Sequence, residues 1–434
     1  MLDWSLLTGA VPVVLSVLGV TAGAWLLVRV LTSDRRPWAK ALEVIGCLAF
    51  AVATTAVLDH MARAVWMLFP DQLAPAIYAW VGAGFLAVAL AVARSARRPR
   101  RGIVLSMVAA LVVFAACANQ VNAIYGTYLT PGDLFGIAHH DDIALSDVVN
   151  DVRVLPDADP IESEWTPPQG MSLRGKMTSA VIPGPLSGFS ARPAAVYLPP
   201  AYFSNPRPRL PVVVLLAGQP GDPDDWVSAG KLASIMDRFA VQHDGLAPVV
   251  VVADATGSRF ADPLCVDGPR GNAATYLVKD LPRWVAQHLT VDPDPQAWAI
   301  AGASYGGTCA LQLGTNHPEV YPTFLDISGS SEPTLGTRDR TVKEAFGGSD
   351  AAFARVNPID LMHGRSFRGS AARFVAGAGD RDARNDAHRV LAAATGSGMT
   401  TRYDEVPGSH DWHCFTAALS LELPWLAQRT GLTS

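Results

Sequence analysis

The segment that decides the predicted fold is Trp298-Ala299-Ile300-Ala301-Gly302-Ala303-Ser304-Tyr305-Gly306-Gly307. Four apolar residues typical of a buried strand lead directly into the pattern Gly-x-Ser-x-Gly, and a helix-like stretch follows. A serine on a sharp turn between a strand and a helix needs small residues two positions before and after it, because those positions lie against neighbouring backbone. The segment therefore predicts a nucleophile elbow with Ser304 as the nucleophile.

Short apolar runs rich in β-branched residues alternate with helical patterns on both sides of this elbow. Such alternation predicts a mostly parallel sheet with helices on both faces. The predicted strands cover residues 176–182, 194–198, 211–216, 248–253, 297–301, 323–327, 373–376 and 402–406. The predicted helices cover residues 231–243, 274–288, 307–317, 383–394 and 412–426. Eight strands in this alternation predict the α/β-hydrolase fold.

A serine hydroxyl is a poor nucleophile near neutral pH, so the elbow needs a histidine base and an acid, in the chain order serine, acid, histidine. His410 follows the last predicted strand, where the base belongs, and His413 is a weaker alternative because it falls on the next helix. Asp380 follows the penultimate strand and is the predicted acid. Asp382, two residues later, stays open as the alternative.

Acyl chemistry at the serine also needs two backbone N–H groups that bind the developing oxyanion. The residue after the nucleophile, Tyr305, is predicted to supply the first. The loop at 217–221 is predicted to supply the second through Gln219, because Pro220 has no N–H to donate.

This chemistry uses neither a metal nor an organic cofactor. The run His139-His140-Asp141-Asp142 is predicted to be a solvated loop, since no second cluster has metal-ligand spacing with it.

The N-terminal part of the chain is far more apolar than the remainder. Residues 4–28, 72–93 and 102–132 carry no charge, and each stretch is long enough to span a bilayer. Residues 44–58 are a weaker case because charged residues bound this stretch on both sides. The predicted spans cover residues 8–30, 42–60, 74–93 and 103–123. The predicted domains are a transmembrane region at 1–125, an extracytoplasmic linker at 126–174 and an α/β-hydrolase domain at 175–434.

The basic residues that flank these spans are distributed asymmetrically. Four follow the first span, namely Arg29, Arg35, Arg36 and Lys40, and five lie between the last two, namely Arg94, Arg97, Arg98, Arg100 and Arg101. Short loops rich in arginine and lysine stay in the cytoplasm. The sequence therefore predicts a multi-pass protein of the cell membrane with both termini and the hydrolase domain outside the cytoplasm. The arginines before the last span predict this placement even if the weaker second span is wrong.

The five cysteines divide according to this topology. Cys47 and Cys117 lie within apolar spans and are predicted to be small buried hydrophobes. Cys265, Cys309 and Cys414 belong to the exported part, where one pair can form a disulfide. The preferred pair is Cys265 with Cys309, because both are predicted to lie near the C-terminal edge of the sheet.

The region from about residue 174 to 426 resembles the putative-esterase family of α/β-hydrolases, which includes feruloyl esterases, esterase D and the antigen 85 mycolyltransferases. The resemblance rests on Ala301-Gly302-Ala303-Ser304-Tyr305-Gly306-Gly307-Thr308, His317-Pro318, Gly377-Ala378-Gly379-Asp380, Gly408-Ser409-His410-Asp411-Trp412 and Leu215-Leu216-Ala217-Gly218. It implies that the nucleophile, acid and base are Ser304, Asp380 and His410. The resemblance to the mycolyltransferases is incomplete in two respects. They look like secreted proteins whose catalytic acid is a glutamate, whereas this chain has several predicted membrane spans and an aspartate as the predicted acid.

Three functions remain in competition at this point. The leading hypothesis is an esterase that forms an acyl-serine and releases the acid to water. The second is an acyltransferase that moves the acyl group to a hydroxyl of an envelope lipid or glycan. The third is a non-catalytic domain that binds a partner, although it would have no need for an intact serine, acid and histidine. The net charge of -5 and the lack of a dense basic run away from the spans argue against nucleic-acid binding.

Overall fold

The computed structural model describes residues 4–65, 73–95, 100–134, 142–148, 152–156 and 158–434. The chain forms two compact units, Met1–Ala138 and His139–Ser434. The predicted domain boundaries near residues 125 and 174 stay predictions. Most of the run from His139 to Asp142 lies outside the described residues.

In the described residues of the N-terminal unit there are four long helices and one short one. Their bounds are Ala10–Leu31 (α1), Pro37–His60 (α2), Pro75–Ser95 (α3), Arg100–Tyr125 (α4) and Pro131–Leu134 (α5). A π-helical turn at Met61–Val65 extends α2. By length and composition, the four long helices could each cross a membrane.

Close packing and a few polar contacts join the helices of this unit. A Cβ placed on Gly19 of α1 would lie 2.5 Å from the Cβ of Ala116 on α4, so only glycine allows the two helices to approach so closely. The side-chain amide of Gln120 donates to Ser16 Oγ at 3.0 Å between the same helices. Outward apolar side chains such as Val20 and Leu111 are about two-thirds exposed or more. Such a surface is expected of helices that face lipid.

The C-terminal unit is built on an eight-stranded sheet. The strands are Lys176–Ala180 (β1), Ala194–Leu198 (β2), Val212–Leu216 (β3), Val249–Ala253 (β4), Trp298–Ala303 (β7), Thr323–Ile327 (β8), Ala371–Gly377 (β9) and Thr400–Val406 (β10), with Asp267–Gly268 (β5) and Gly271–Asn272 (β6) in a separate hairpin. The strand order is β1-β2-β4-β3-β7-β8-β9-β10. Strands β1 and β2 run antiparallel to their neighbours, and the other pairs are parallel. The predicted α/β-hydrolase sheet is confirmed.

Ten helices follow or connect these strands within the described part of this unit. They are Asp224–Ser228 (α6), Leu232–Gln242 (α7), Ala273–Thr275 (α8), Leu281–His288 (α9), Tyr305–Asn316 (α10), Arg338–Ala345 (α11), Asp350–Ala354 (α12), Pro358–Gly364 (α13), Arg381–Gly396 (α14) and Trp412–Arg429 (α15). Helix α10 packs against β7 and β8, α14 against β9 and β10, and α15 against β8 and β9. The central strands β3, β4 and β7 are buried along their whole length, as expected for parallel strands covered on both faces.

Two parts of this unit differ from the predicted elements. The helix predicted over 274–288 is interrupted by a π-helical turn at Tyr276–Asp280, between α8 and α9. The Asp280 carboxylate there accepts hydrogen bonds from the backbone N–H groups of Leu186 and Ser187, so this turn is tied to a distant loop. The short helices α11, α12 and α13 lie where no helix was predicted, because none has enough turns to show a clear apolar period.

Residues before β1 also pack on the sheet. Val148 is buried in the core, and Ile143, Ile161 and Trp165 pack against it. The backbone N–H of Asp142 donates to Met177 O at 2.9 Å, and the Asp142 carboxylate accepts from Met177 N. Asp142 is therefore paired with β1 by two hydrogen bonds, and the other named residues add apolar contacts with the core.

Candidate active site

The predicted nucleophile Ser304 lies on the turn between β7 and α10, at the C-terminal edge of the sheet. Its φ of 58° and ψ of -122° are strained for a residue with a side chain, as a nucleophile elbow requires. Its backbone N–H donates to Ile327 O at 2.8 Å, which fixes the turn to β8. A Cβ on Gly302 would lie 2.3 Å from the Gly306 backbone, and one on Gly306 would lie 2.3 Å from Leu216 O. The two glycines of the motif are therefore required by close backbone contacts.

The predicted base His410 lies on the loop between β10 and α15. Its Nε2 lies 2.7 Å from Ser304 Oγ, and its Nδ1 lies 2.7 Å from Asp380 Oδ2. The imidazole packs edge-on against the Phe415 ring, with centroids 5.4 Å apart. Its side chain is 43% exposed, so solvent reaches the base directly. In this arrangement the histidine can take the serine proton while the carboxylate orients the ring.

Asp411 fixes the loop that carries this histidine. Its carboxylate accepts from Ser409 N and from Cys414 N, both at 2.9 Å, and it caps α15. Gly408 has a φ of 115°, and a Cβ at this position would collide with the Cys414 backbone and the Asp411 carboxylate. Sequence reasoning did not single out Asp411, although an aspartate three residues before a helical N–H is a recognisable N-cap signal.

The predicted acid Asp380 lies three residues after β9 and is the N-cap residue of α14. Its second carboxylate oxygen accepts from Ala383 N at 3.2 Å, so the residue caps α14 while it contacts the imidazole. Its side chain is only 9% exposed. The alternative, Asp382, lies exposed in the first turn of α14. Among the described residues, Asp380 is the carboxylate that contacts His410, and His413 lies exposed on α15.

The two predicted oxyanion donors, Tyr305 and Gln219, belong to segments next to the serine. Tyr305 N is at the first position of α10, where a backbone N–H has no partner within the helix. Gln219 follows Gly218, at which an added Cβ would lie 3.3 Å from Ser304 Cβ. The turn Gly218–Gly221 is therefore in contact with the nucleophile. The side-chain amide of Gln219 donates to Phe260 O at 3.1 Å, so this side chain is tied to the loop after β4.

The side chain of Tyr305 points into the fold, toward the loop after β4. Its hydroxyl accepts from Cys265 N at 3.2 Å, and Cys265 forms a disulfide with Cys309 on α10. The disulfide pair is the one that the sequence favoured, and Cys414 is a free, buried thiol. The loop after β4 is thus fastened twice to the helix that begins at the nucleophile.

Two tryptophans near the site belong to the core. Trp226 is fully buried, and its indole N–H donates to Leu216 O at 3.0 Å. Its ring meets that of Trp412 edge-on, with centroids 5.1 Å apart. Trp226 therefore supports the strand beneath the oxyanion turn instead of lining a groove for an acyl chain.

A buried carboxyl that the sequence did not mark lies beneath the elbow. Asp326 of β8 accepts from Gly329 N at 2.9 Å, and a Cβ on Gly307 would lie 2.4 Å from its Oδ1. Burial, with a smaller contribution from the negative charge of Asp386, raises the pKa of Asp326 to about 7. The sequence feature that could have indicated this buried carboxyl is an aspartate within an otherwise apolar strand.

No group of histidine, cysteine, aspartate or glutamate side chains in the described ranges has the geometry of a metal site.

Comparison with known proteins gives the family. The family model described as Putative esterase matches residues 190–426, more than half of the chain. The chain belongs to this esterase family. It is a serine hydrolase, as the resemblance in the sequence implied. A relative from Corynebacterium glutamicum, an uncharacterized protein, is 35% identical over 98% of this chain and 96% of its own length.

Solved structures with a similar fold are esterases and hydrolases. A ferulic acid esterase has a TM-score of 0.51 at 20% identity and matches 59% of this chain and 99% of its own. An S-formylglutathione hydrolase from Agrobacterium tumefaciens has a TM-score of 0.50 at 18% identity, over 61% of this chain and 98% of its own. At these identities the two structures show the fold that this esterase shares with them.

Proposed function

We propose that the chain is a membrane-anchored serine esterase whose catalytic domain lies outside the cytoplasm and which hydrolyses carboxylic esters. The observation that carries the proposal is the continuous hydrogen-bond path from Ser304 through His410 to Asp380, with both links at 2.7 Å. A domain that only binds a partner has no need for this alignment on a strained elbow.

The acylation step follows from these contacts. His410 Nε2 takes the proton of Ser304 as Oγ forms a bond to the ester carbonyl carbon, and Asp380 stabilises the imidazolium. The carbonyl oxygen becomes an oxyanion between the N–H groups of Tyr305 and Gln219. The bond to the alcohol then breaks, and the alcohol leaves with the proton that His410 returns. The product is an acyl-serine.

Deacylation reverses the proton path with a new nucleophile. Water gives a proton to His410 and attacks the acyl-serine, and the collapse of the second oxyanion releases the acid and restores Ser304. The exposure of His410 favours water over a larger acceptor, because transfer to a sugar or lipid hydroxyl requires a site that excludes water. Hydrolysis is therefore preferred over transfer for this site.

Three features support the location. Four helices are long and apolar enough to cross a membrane, and the basic residues flank them on the side predicted to be cytoplasmic. The disulfide between Cys265 and Cys309 belongs to an oxidising compartment such as the outside of the cell. This placement favours an ester of the cell envelope as the substrate.

The test is turnover of p-nitrophenyl butyrate by the full chain in detergent, with 1-propanol added as a competing acceptor. We expect p-nitrophenol release with butyric acid as the main product, and loss of at least about 1,000-fold in Ser304→Ala. Propyl butyrate as the main product at low alcohol would instead favour the acyltransferase. Folded wild type without any turnover would contradict both.

A further inference from the structure

The turn that carries the second oxyanion donor is bonded to the side chain of Arg192 and to the backbone of Arg259. The backbone N–H of Gly221 donates to the backbone carbonyl of Arg259 at 3.1 Å. The backbone carbonyl of Gly221 accepts from Arg192 Nη1 at 3.0 Å. Both polar groups of this glycine are therefore fixed, two residues after Gln219.

Arg192 is itself fixed on a buried carboxylate. Its Nη2 donates to Asp254 Oδ1 at 2.7 Å, its Nε donates to Oδ2 at 3.1 Å, and its backbone N–H donates to Oδ2 at 2.7 Å. A further bond joins Nη2 to Thr256 Oγ1 at 2.8 Å. Such a forked, charge-assisted pair has little freedom. Burial by itself would raise the pKa of Asp254, but the Arg192 contacts outweigh it and keep that pKa below its usual range.

The place of Asp254 in the sheet connects this pair to the chemistry. Asp254 directly follows β4, which runs parallel to β3 with Ala253 opposite Leu216. The oxyanion turn begins at the end of β3, next to the nucleophile elbow. Arg192 thus connects the residue that follows β4 to the turn that follows the neighbouring strand β3.

We propose that Arg192 is a positioning residue for the oxyanion hole, holding the turn Gly218–Gly221 so that the Gln219 N–H points at the oxyanion. The inference rests on the proposed function, since it concerns the transition state of that reaction. Without the guanidinium, the Gly221 carbonyl loses a charged donor and the turn gains freedom. Binding of the ground-state ester depends little on this N–H, so the loss falls on kcat and not on KM.

Arg259 provides a matched control on the same turn. Its side chain pairs with Asp222 at 2.9 Å and more weakly with Asp225, but Gly221 binds its backbone carbonyl. Arg259→Gln therefore removes one positive charge beside the turn and leaves the hydrogen bond to Gly221 in place.

The experiment measures kcat and KM on p-nitrophenyl butyrate for the full chain, wild type, Arg192→Gln, Arg192→Lys and Arg259→Gln. Active sites are titrated with a fluorophosphonate so that only folded enzyme is counted. We expect Arg192→Gln to lower kcat about 30-fold with KM within about 2-fold, which is less than the loss of a whole oxyanion donor. Arg192→Lys, which keeps the charge but lacks the planar fork of the guanidinium, should lose about 5-fold, and Arg259→Gln at most about 2-fold.

A trifluoromethyl ketone separates positioning from general damage. Ser304 Oγ adds to its carbonyl carbon, His410 takes the serine proton, and the new oxyanion occupies the hole. The inhibition constant of the ketone should rise across the variants by the same factor by which kcat/KM falls.

An equal loss of kcat in Arg192→Gln and Arg259→Gln, or an unchanged inhibition constant in Arg192→Gln, would overturn the inference. If Arg192→Gln does not fold, Arg192→Lys at wild-type activity overturns it too. Inactive wild type contradicts the proposed function instead.

Discussion

At the scale of single residues, the site depends on which carboxylate orients the histidine. Asp380 contacts His410 Nδ1 at 2.7 Å and is largely buried, whereas Asp382 is exposed on α14. The sequence favoured Asp380 and left Asp382 open as the alternative, and the two aspartates differ in contact and in burial. The difference allows a substitution test in which each aspartate serves as the control for the other.

We predict that Asp380→Asn lowers kcat by about 1,000- to 10,000-fold, because an amide cannot stabilise the imidazolium and favours the wrong tautomer. Asp382→Asn should stay within about 2-fold of wild type. Both values come from p-nitrophenyl butyrate turnover, with the amount of folded protein checked by circular dichroism. A large loss in Asp382→Asn with Asp380→Asn nearly intact would make Asp382 the acid.

The buried Asp326 predicts a dependence of stability on pH. The pKa of its carboxyl is about 7 in the folded chain and near 4 in an unfolded one. As the pH rises, the unfolded chain therefore loses this proton at a lower pH than the folded chain does. Between about pH 4 and pH 7 rising pH therefore destabilises the folded state, by at most about 4 kcal/mol, and above pH 7 the loss is complete.

Asp326→Asn cannot ionise, and its side-chain carbonyl can still accept from Gly329 N. We expect the thermal unfolding midpoint of this variant, relative to wild type, to rise as the pH increases from 5 to 7.5. Intrinsic fluorescence of the detergent-solubilised chain follows the transition. A constant difference between the two proteins across this range would mean that Asp326 does not change its protonation there.

At the scale of elements, the disulfide joins the loop after β4 to the nucleophile helix α10. The bridge closes a segment with a sequence separation of 44 residues, for which chain entropy predicts stabilisation of about 2–4 kcal/mol. We predict that Cys265→Ala combined with Cys309→Ala lowers the free energy of unfolding of the hydrolase unit by this amount in urea titrations. Cys47→Ala, a free cysteine of α2, should leave that transition unchanged. A double variant as stable as wild type would contradict the structural role of the bridge.

The elements show why much of this fold could be predicted from the sequence. The strands β3, β4 and β7 are runs of apolar residues because they are buried on both faces, and the glycines of the elbow are imposed by backbone contacts. Both features can be recognised in the sequence, as apolar runs and as the spacing of the glycines. The placement of Ser304, Asp380 and His410 then follows from the chain order of the fold.

What the sequence could not predict depends on contacts between distant segments. The interrupted helix at Tyr276–Asp280 accommodates hydrogen bonds from residues more than ninety positions away. Arg192 was not marked because its acceptors, Asp254 and Gly221, lie on other loops. Hydrogen bonds of this kind leave no periodic signal, so only the folded chain reveals them.

At the scale of the whole molecule, the topology of the chain can be tested separately from its chemistry. We predict that Glu164→Cys reacts with a membrane-impermeant maleimide on intact cells, whereas Asp34→Cys in the loop after α1 reacts only after the cells are opened. Both positions are exposed, and the native cysteines are buried or bridged, which keeps the background low. The reverse pattern would place the hydrolase unit in the cytoplasm.

The central claim is that Ser304 is the nucleophile of a serine esterase, and covalent labelling tests it most directly. The full chain in detergent is treated with a fluorophosphonate, its intact mass is measured, and the modified residue is located by peptide mapping. The account predicts a single adduct on Ser304 in wild type and none in a folded Ser304→Ala variant. No adduct on folded wild type, or an adduct that persists in Ser304→Ala, would contradict it.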